Sequence, residues 1–210
     1  DSARQRGYKV VEGQRIDRQQ EKPMPQGKEV EVQFSTKAKV KGRMTVSELG
    51  DVQGSHLTNG QVNEKHFLPE AQPKAEFGAD RQAAAQTNAS EENFRPELML
   101  TFNGTQSAYS GSASQTNRRG EVIQGNGRRN LAEYIYAPGN EKVAEKYKTF
   151  LKAHAEELGT TTEAIDAMEK PFAHIVLDVT DEEAIRLGQF TAADLESGGK
   201  KIPEVSHTIT

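Results

Sequence analysis

The 210-residue chain has no cysteine and no tryptophan, and it is poor in the residues that build large cores. Without cysteine there is no disulfide framework, no thiolate nucleophile and no zinc–cysteine site. Leu, Ile, Val and Phe together supply only 40 of the 210 residues, near the roughly 20% level below which disorder competes with folding. Disorder also requires a high net charge, and 27 basic against 31 acidic residues leave only −4. This balance predicts a folded core smaller than the length implies, with long polar segments attached. No apolar run approaches the ~18 residues that a membrane span needs. The basic start, Asp1-Ser2-Ala3-Arg4-Gln5-Arg6, has no apolar stretch behind it, so it does not read as a secretory signal and the cytoplasm is the expected compartment. Lacking an initiator Met, the chain reads as part of a larger polypeptide. Its slight acidity argues against wholesale nucleic-acid binding but leaves room for a local basic patch.

What is present is organised unevenly. Residues 1–28 hold seven Lys/Arg, four Asp/Glu, five Gln, three Gly and two Pro without periodicity, the composition of a linker or extended arm. Residues 29–34 alternate strictly, putting Val30, Val32 and Phe34 on one face of a strand. A second strand is expected over 40–49. Residues 50–80 are rich in turn formers, 81–97 include the helix-favouring Ala83-Ala84-Ala85, and 98–102 form a short apolar run. Residues 104–120 are almost wholly Ser, Thr, Asn, Gln, Gly and Arg and offer little to a core.

The second half is better patterned. A short strand at 121–123 leads into Gly125-Asn126-Gly127, followed by a helix over 128–136 with Leu131, Ala132 and Ile135 on one side. Residues 141–158 read as an amphipathic helix stopped by Gly159. Thr161 or Thr162 is placed to cap a short helix, 172–179 form the strongest strand in the chain, and Asp181 is expected to cap a last helix over 182–190. Strands and helices alternate irregularly, which gives an α+β or mixed α/β class. The expected division is an arm at 1–28, one domain at 29–199 and a polar tail at 200–210.

One stretch concentrates chemistry. From Glu121 to Ala132 a strand enters a glycine turn and a helix starts directly after it, with Arg128 and Arg129 adjacent. Unpaired backbone N–H groups at a helix N-terminus attract anions. Glycines let a phosphate approach the backbone, and arginine adds permanently charged, bidentate contacts. Equally, the glycines could serve turn geometry alone while the arginines face water. The spacing is neither a Walker loop, since no Gly-Lys-Ser/Thr follows, nor a dinucleotide turn, since the third glycine is missing.

Gly125-Asn126-Gly127-Arg128 followed by Ala132 resembles the Gly-Glu-Arg-Arg-x-x-x-Ala phosphate box of the ParB/sulfiredoxin superfamily, with Asn126 where most ParB proteins carry Glu. The wider phrase from Gly120 to Arg128 is similar to the DdrB-like ParB domain of polyvalent proteins from phages, plasmids and integrative elements. Val40-Lys41-Gly42-Arg43 leading to Gly54-Ser55-His56 resembles that family's strand and Pro-Ser-His box, and residues 67–74 resemble its Gln-Pro-Arg element. Residues 148–159 and 178–199 are similar to its C-terminal half, so the likeness spans about 38–199.

The resemblance implies an α+β fold, a small mixed sheet flanked by helices, in which the arginine box cradles nucleotide phosphates. It implies Gly125, Asn126, Gly127, Arg128 and Arg129 as phosphate-binding residues, with Gln72 and Lys74 as secondary ones and Ser55 and His56 at a pocket edge. CTP or ATP with magnesium is the cofactor it implies. The expected partners are a nucleotide, DNA or both, other domains of a parent polypeptide, and a second copy of the chain; a membrane is not among them. A binding module is favoured, with a nucleotide hydrolase or nuclease of the same fold and a docking scaffold with a dead pocket as alternatives. Sulfur-reductase chemistry is excluded by the absence of cysteine. Before the box the family has an apolar strand after Gly-Ala-Pro, whereas residues 111–117 here are polar and lack the proline.

Other polar clusters have plainer readings. Ser55, His56 and His66 lack a third ligand at a metal-binding spacing. His154 falls on an apolar helix face and His174 within the best strand, so packing explains both. Asp178, Asp181, Glu182 and Glu183 suit a strand end and a first helical turn, where acids are favoured. Arg118, Arg119, Arg128 and Arg129 form the densest basic patch in the sequence and are a candidate phosphate contact.

Overall fold

The computed structural model describes residues 19–34, 39–55, 63, 66, 78–102, 105–107 and 113–188. They form a six-stranded mixed sheet in the order β3-β1-β2-β6-β4-β5, where β1 is Glu29–Gln33, β2 Lys39–Glu48, β3 Thr105–Ser107, β4 Ser114–Thr116, β5 Val122–Gln124 and β6 Pro171–Leu177. The helices are α1 (Gly78–Asn88), α2 (Asn126–Ile135), α3 (Glu141–Ala153), α4 (Thr162–Asp166) and α5 (Asp181–Gly188). This is an α+β architecture of the expected kind. Among the described residues, no helix is long and apolar enough to cross a membrane.

Alternation in the sequence becomes one buried face. Val32 pairs with Val40 across β1 and β2, and Met44 and Val46 pair with Ile175 and Ala173 across β2 and β6. Residues paired directly across antiparallel strands project to the same side, so these side chains form a continuous apolar layer, and all of them are buried. Helix α3 supplies Val143, Tyr147 and Leu151 to the core. Its Tyr147 hydroxyl accepts a hydrogen bond from Ala173 N at 3.0 Å. The opposite face of β1–β2 stays polar and at least partly exposed, with Glu29 and Glu31 beside Lys39, Lys41 and Arg43.

Several boundaries differ from the sequence expectation for local reasons. The chain packs before Glu29: Lys22 N bonds Arg118 O at 3.0 Å, and Lys28 N bonds Glu157 O at 2.7 Å. Gly27 is buried so close to β2 that a Cβ there would lie 1.8 Å from Met44 O. Helix α3 stops at Ala153 rather than 158, and a turn carries His154, which stacks on Phe102 with ring centroids 4.0 Å apart and bonds Glu157 at 2.8 Å. Thr161 caps α4, accepting Ala164 N at 3.1 Å. Thr180, not Asp181, caps α5: Glu183 N donates to Thr180 Oγ1 and Thr180 N to the Glu183 carboxylate, a reciprocal capping box. The box outcompetes Asp181 because its two bonds satisfy donors on both sides of the helix start.

The largest correction concerns 104–120, which was expected to contribute little. Residues 113–117 are all buried, and β4 lies between β6 and β5 in the sheet interior. Polar side chains are tolerated there because neighbours pair them. Thr116 Oγ1 and Ser47 Oγ sit 2.8 Å from the two ring nitrogens of His174. The Asn117 side chain accepts from Arg119 N and Glu121 N, each at 3.0 Å, and donates to Glu121.

Burial, with the nearby Lys22 charge adding to it, pushes the His174 imidazole down from 6.5 to about 3. The unfolded chain therefore takes up a proton below about 6.5 that the folded chain refuses. The stability contributed by neutral His174 is fully present above that pH and falls by up to ~1.4 kcal/mol per pH unit as the pH drops toward 3. Urea unfolding between about pH 7.5 and 4.5 should show a steeper loss for the wild type than for His174→Gln. Equal slopes for the two proteins would refute this role.

Candidate functional site

The sequence brings a strand, a turn and a helix together at 122–135. Gly125 has φ 92° and ψ 30°, a left-handed conformation that glycine adopts without strain. Space forbids a side chain as well, since a Cβ there would lie 2.7 Å from Ser114 Cα. Helix α2 begins at Asn126, two residues earlier than its periodicity suggests, so Asn126 and Gly127 lie in its first turn. That first turn has no acidic residue, leaving the positive end of the helix dipole without a carboxylate in its own turn. The Gly125 carbonyl accepts Arg128 N at 3.1 Å, Arg129 N at 3.3 Å and Ser114 Oγ at 2.7 Å.

The two arginines of the turn have different surroundings. Arg129 turns into the scaffold: Nε donates to Val52 O at 2.9 Å, Nη2 to Leu49 O at 3.4 Å, and Nη1 pairs with Glu133 one turn along α2. Arg128 folds back over the turn, where its Nη1 would be 3.1 Å from a Cβ on Gly125. Gly127 differs from Gly125, since a Cβ added to it meets no described atom within 4 Å.

Ser55 is brought to this turn. It is fully buried, and its N–H donates to Asn126 Oδ1 at 2.8 Å. Asn63 holds the same loop, donating from its backbone to Ser55 O and from its side chain to Gly54 O, both at 2.8 Å. His66 is buried too, and its N–H bonds Asn63 O at 2.9 Å. Asn126 thus ties the Ser55 loop to the start of α2. His56, Gln72 and Lys74 lie outside the described residues.

The basic patch is divided by these contacts. Arg118 pairs with Asp178 at 3.4 Å and donates to Lys22 O at 2.8 Å, and Arg119 pairs with Asp181 at 3.6 Å. The acids at 178–183 thus engage the arginines, the α5 cap and, through Glu182, Arg186. Among the described residues, no group of three or more His, Asp or Glu side chains is placed to hold a metal ion.

Sequence reasoning missed Ser114 and Asn63 as parts of this site. A usable signal existed for Ser114: Thr116, a β-branched residue, marks the segment as strand-capable, and Ser114 shares its face. Nothing comparable marks Asn63, whose partners are backbone atoms of a loop.

This small mixed sheet with a glycine turn opening a helix is the architecture of a ParB-like domain. A family model described as the ddrB-like ParB superfamily domain matches residues 35–173, about two thirds of the chain, and the chain belongs to that family. No curated protein and no solved structure matches it.

Arg129→Ala should lower the unfolding free energy by about 1–3 kcal/mol, because Val52 O and Glu133 lose a charged partner. Urea denaturation tests this, and a loss below about 0.5 kcal/mol would show that Arg129 is an ordinary surface residue.

Proposed function

We propose that the chain is a nucleotide- or nucleic-acid-phosphate-binding module that takes its ligand at the turn of Gly125, Asn126, Gly127 and Arg128. The observation that carries the reading is the left-handed Gly125 opening α2 with the Arg128 guanidinium folded over it. Such a start directs backbone N–H groups and the positive end of the helix dipole to one place. Arg128 adds a full charge beside them, and Gly127 leaves room at the surface of the first turn. Arg129 belongs to the frame in this reading, and Asn126 orients the loop bearing Ser55. CTP or ATP, with magnesium on its phosphates, is the nucleotide this site is proposed to take, and DNA phosphate is the nucleic-acid counterpart. Membership in the ddrB-like ParB superfamily supports a place within a DNA-processing protein of a mobile element.

Calorimetric titration of the 210-residue chain with CTP, ATP and duplex DNA tests the proposal. At least one of them should bind, and Arg128→Ala should weaken it by about 10–100-fold, the value of a charged hydrogen bond. Binding of none by the wild type, or equal binding by Arg128→Ala, overturns the proposal.

Gly127→Ala gives a second, sharper check. A helical Gly→Ala change with open space around it should stabilise the protein by up to about 1 kcal/mol. The added methyl group should nevertheless weaken phosphate binding, because it stands where the ligand approaches. Thermal unfolding and the same titration measure the two effects. Unchanged affinity in a stabilised variant would place the ligand elsewhere.

A further inference from the structure

The buried polar strand β4 departs from the apolar pattern of β1, β2 and β6, and its side chains show what it does. Ser114 is fully buried, and its hydroxyl donates to Gly125 O at 2.7 Å. Its Cα also forms the floor under Gly125, close enough to forbid a Cβ there. The carbonyl that receives the hydroxyl also receives the N–H groups of Arg128 and Arg129, the bonds that begin α2. From these contacts we infer that Ser114 is a positioning residue that fixes the 125–129 turn from inside the sheet. This rests on the proposed phosphate site only for its functional consequence.

The physical argument is one of local tethering. A helix start held only by its own first bonds frays, because nothing else fixes the carbonyl they share. A buried hydroxyl, carried on a strand paired to both β5 and β6, pins that carbonyl to the sheet. An alanine or valine at 114 would fill the same layer without this tether. Two residues on, Thr116 uses its hydroxyl for a different purpose, bonding His174 at 2.8 Å. The pair therefore separates support of the turn from support of the sheet.

Amide hydrogen exchange on the full chain, with Ser114→Ala and Thr116→Val, tests the inference. Ser114→Ala should speed exchange at the Arg128 and Arg129 amides by about 5–10-fold, the loss expected from one buried hydrogen bond. Thr116→Val should speed exchange in β6 instead and leave those two amides at the wild-type rate. Under the proposed function, Ser114→Ala should also weaken binding of whichever of CTP, ATP and duplex DNA the wild type takes, by about the same 5–10-fold. Unchanged exchange at 128 and 129 in Ser114→Ala, or the same acceleration in Thr116→Val, overturns the inference. If wild type binds none of CTP, ATP and duplex DNA while exchange responds as stated, the phosphate reading falls and the positioning role stands.

Discussion

The carbonyl oxygen of Gly125 is where sheet, turn and helix meet. It takes one hydroxyl from β4 and two amides from α2, so the direction of α2 is set by the sheet beneath it. Gly125 is glycine for two reasons that act together, the positive φ and the Ser114 backbone directly below. From this point the Asn126 side chain reaches Ser55 and the Arg129 side chain reaches Val52. Both fasten the segment after β2 to the same helix start. The loops bordering the turn are therefore held by polar contacts from α2, while the apolar layer of β1, β2 and β6 joins residues of the helices and loops in one core.

The arrangement also sorts arginines by role. Four of them cluster in twelve positions of sequence, yet Arg118 and Arg119 pair with acids at the end of β6 and the start of α5, and Arg129 is engaged by backbone carbonyls and Glu133. The partly exposed Arg118–Asp178 and Arg119–Asp181 pairs add little stability individually. Their effect is to draw positive charge away from a general basic surface. Arg128 lies over the glycine turn, where the proposed ligand contact falls. The proposed site is therefore one turn with one guanidinium rather than the whole basic patch.

Much of this fold was legible in the sequence. Strict alternation at 29–34 and the apolar run at 172–179 mark β1 and β6, because a half-buried or buried strand must place apolar residues at fixed intervals. The glycine turn before α2 was legible from Gly125 and Gly127 themselves. The burial of β4 was not, because Thr116 marks only a strand-capable segment, and what lets it be buried lies outside it: His174 for Thr116, and a main-chain carbonyl for Ser114. Hydropathy cannot register a hydroxyl satisfied across the sheet. The α5 cap was misplaced by one residue for a similar reason, since Thr180 and Asp181 are both good caps and only the reciprocal bond to Glu183 decides between them.

The proposed phosphate site is the 125–128 turn rather than the wider arginine-rich face. A backbone-amide NMR titration with CTP tests it most directly, because every amide reports its own surroundings. Saturable shifts are expected at Gly125, Asn126, Gly127 and Arg128, with Arg118 and Arg119 unmoved. Saturable shifts at Arg118 and Arg119 with the 125–128 amides unmoved would contradict it.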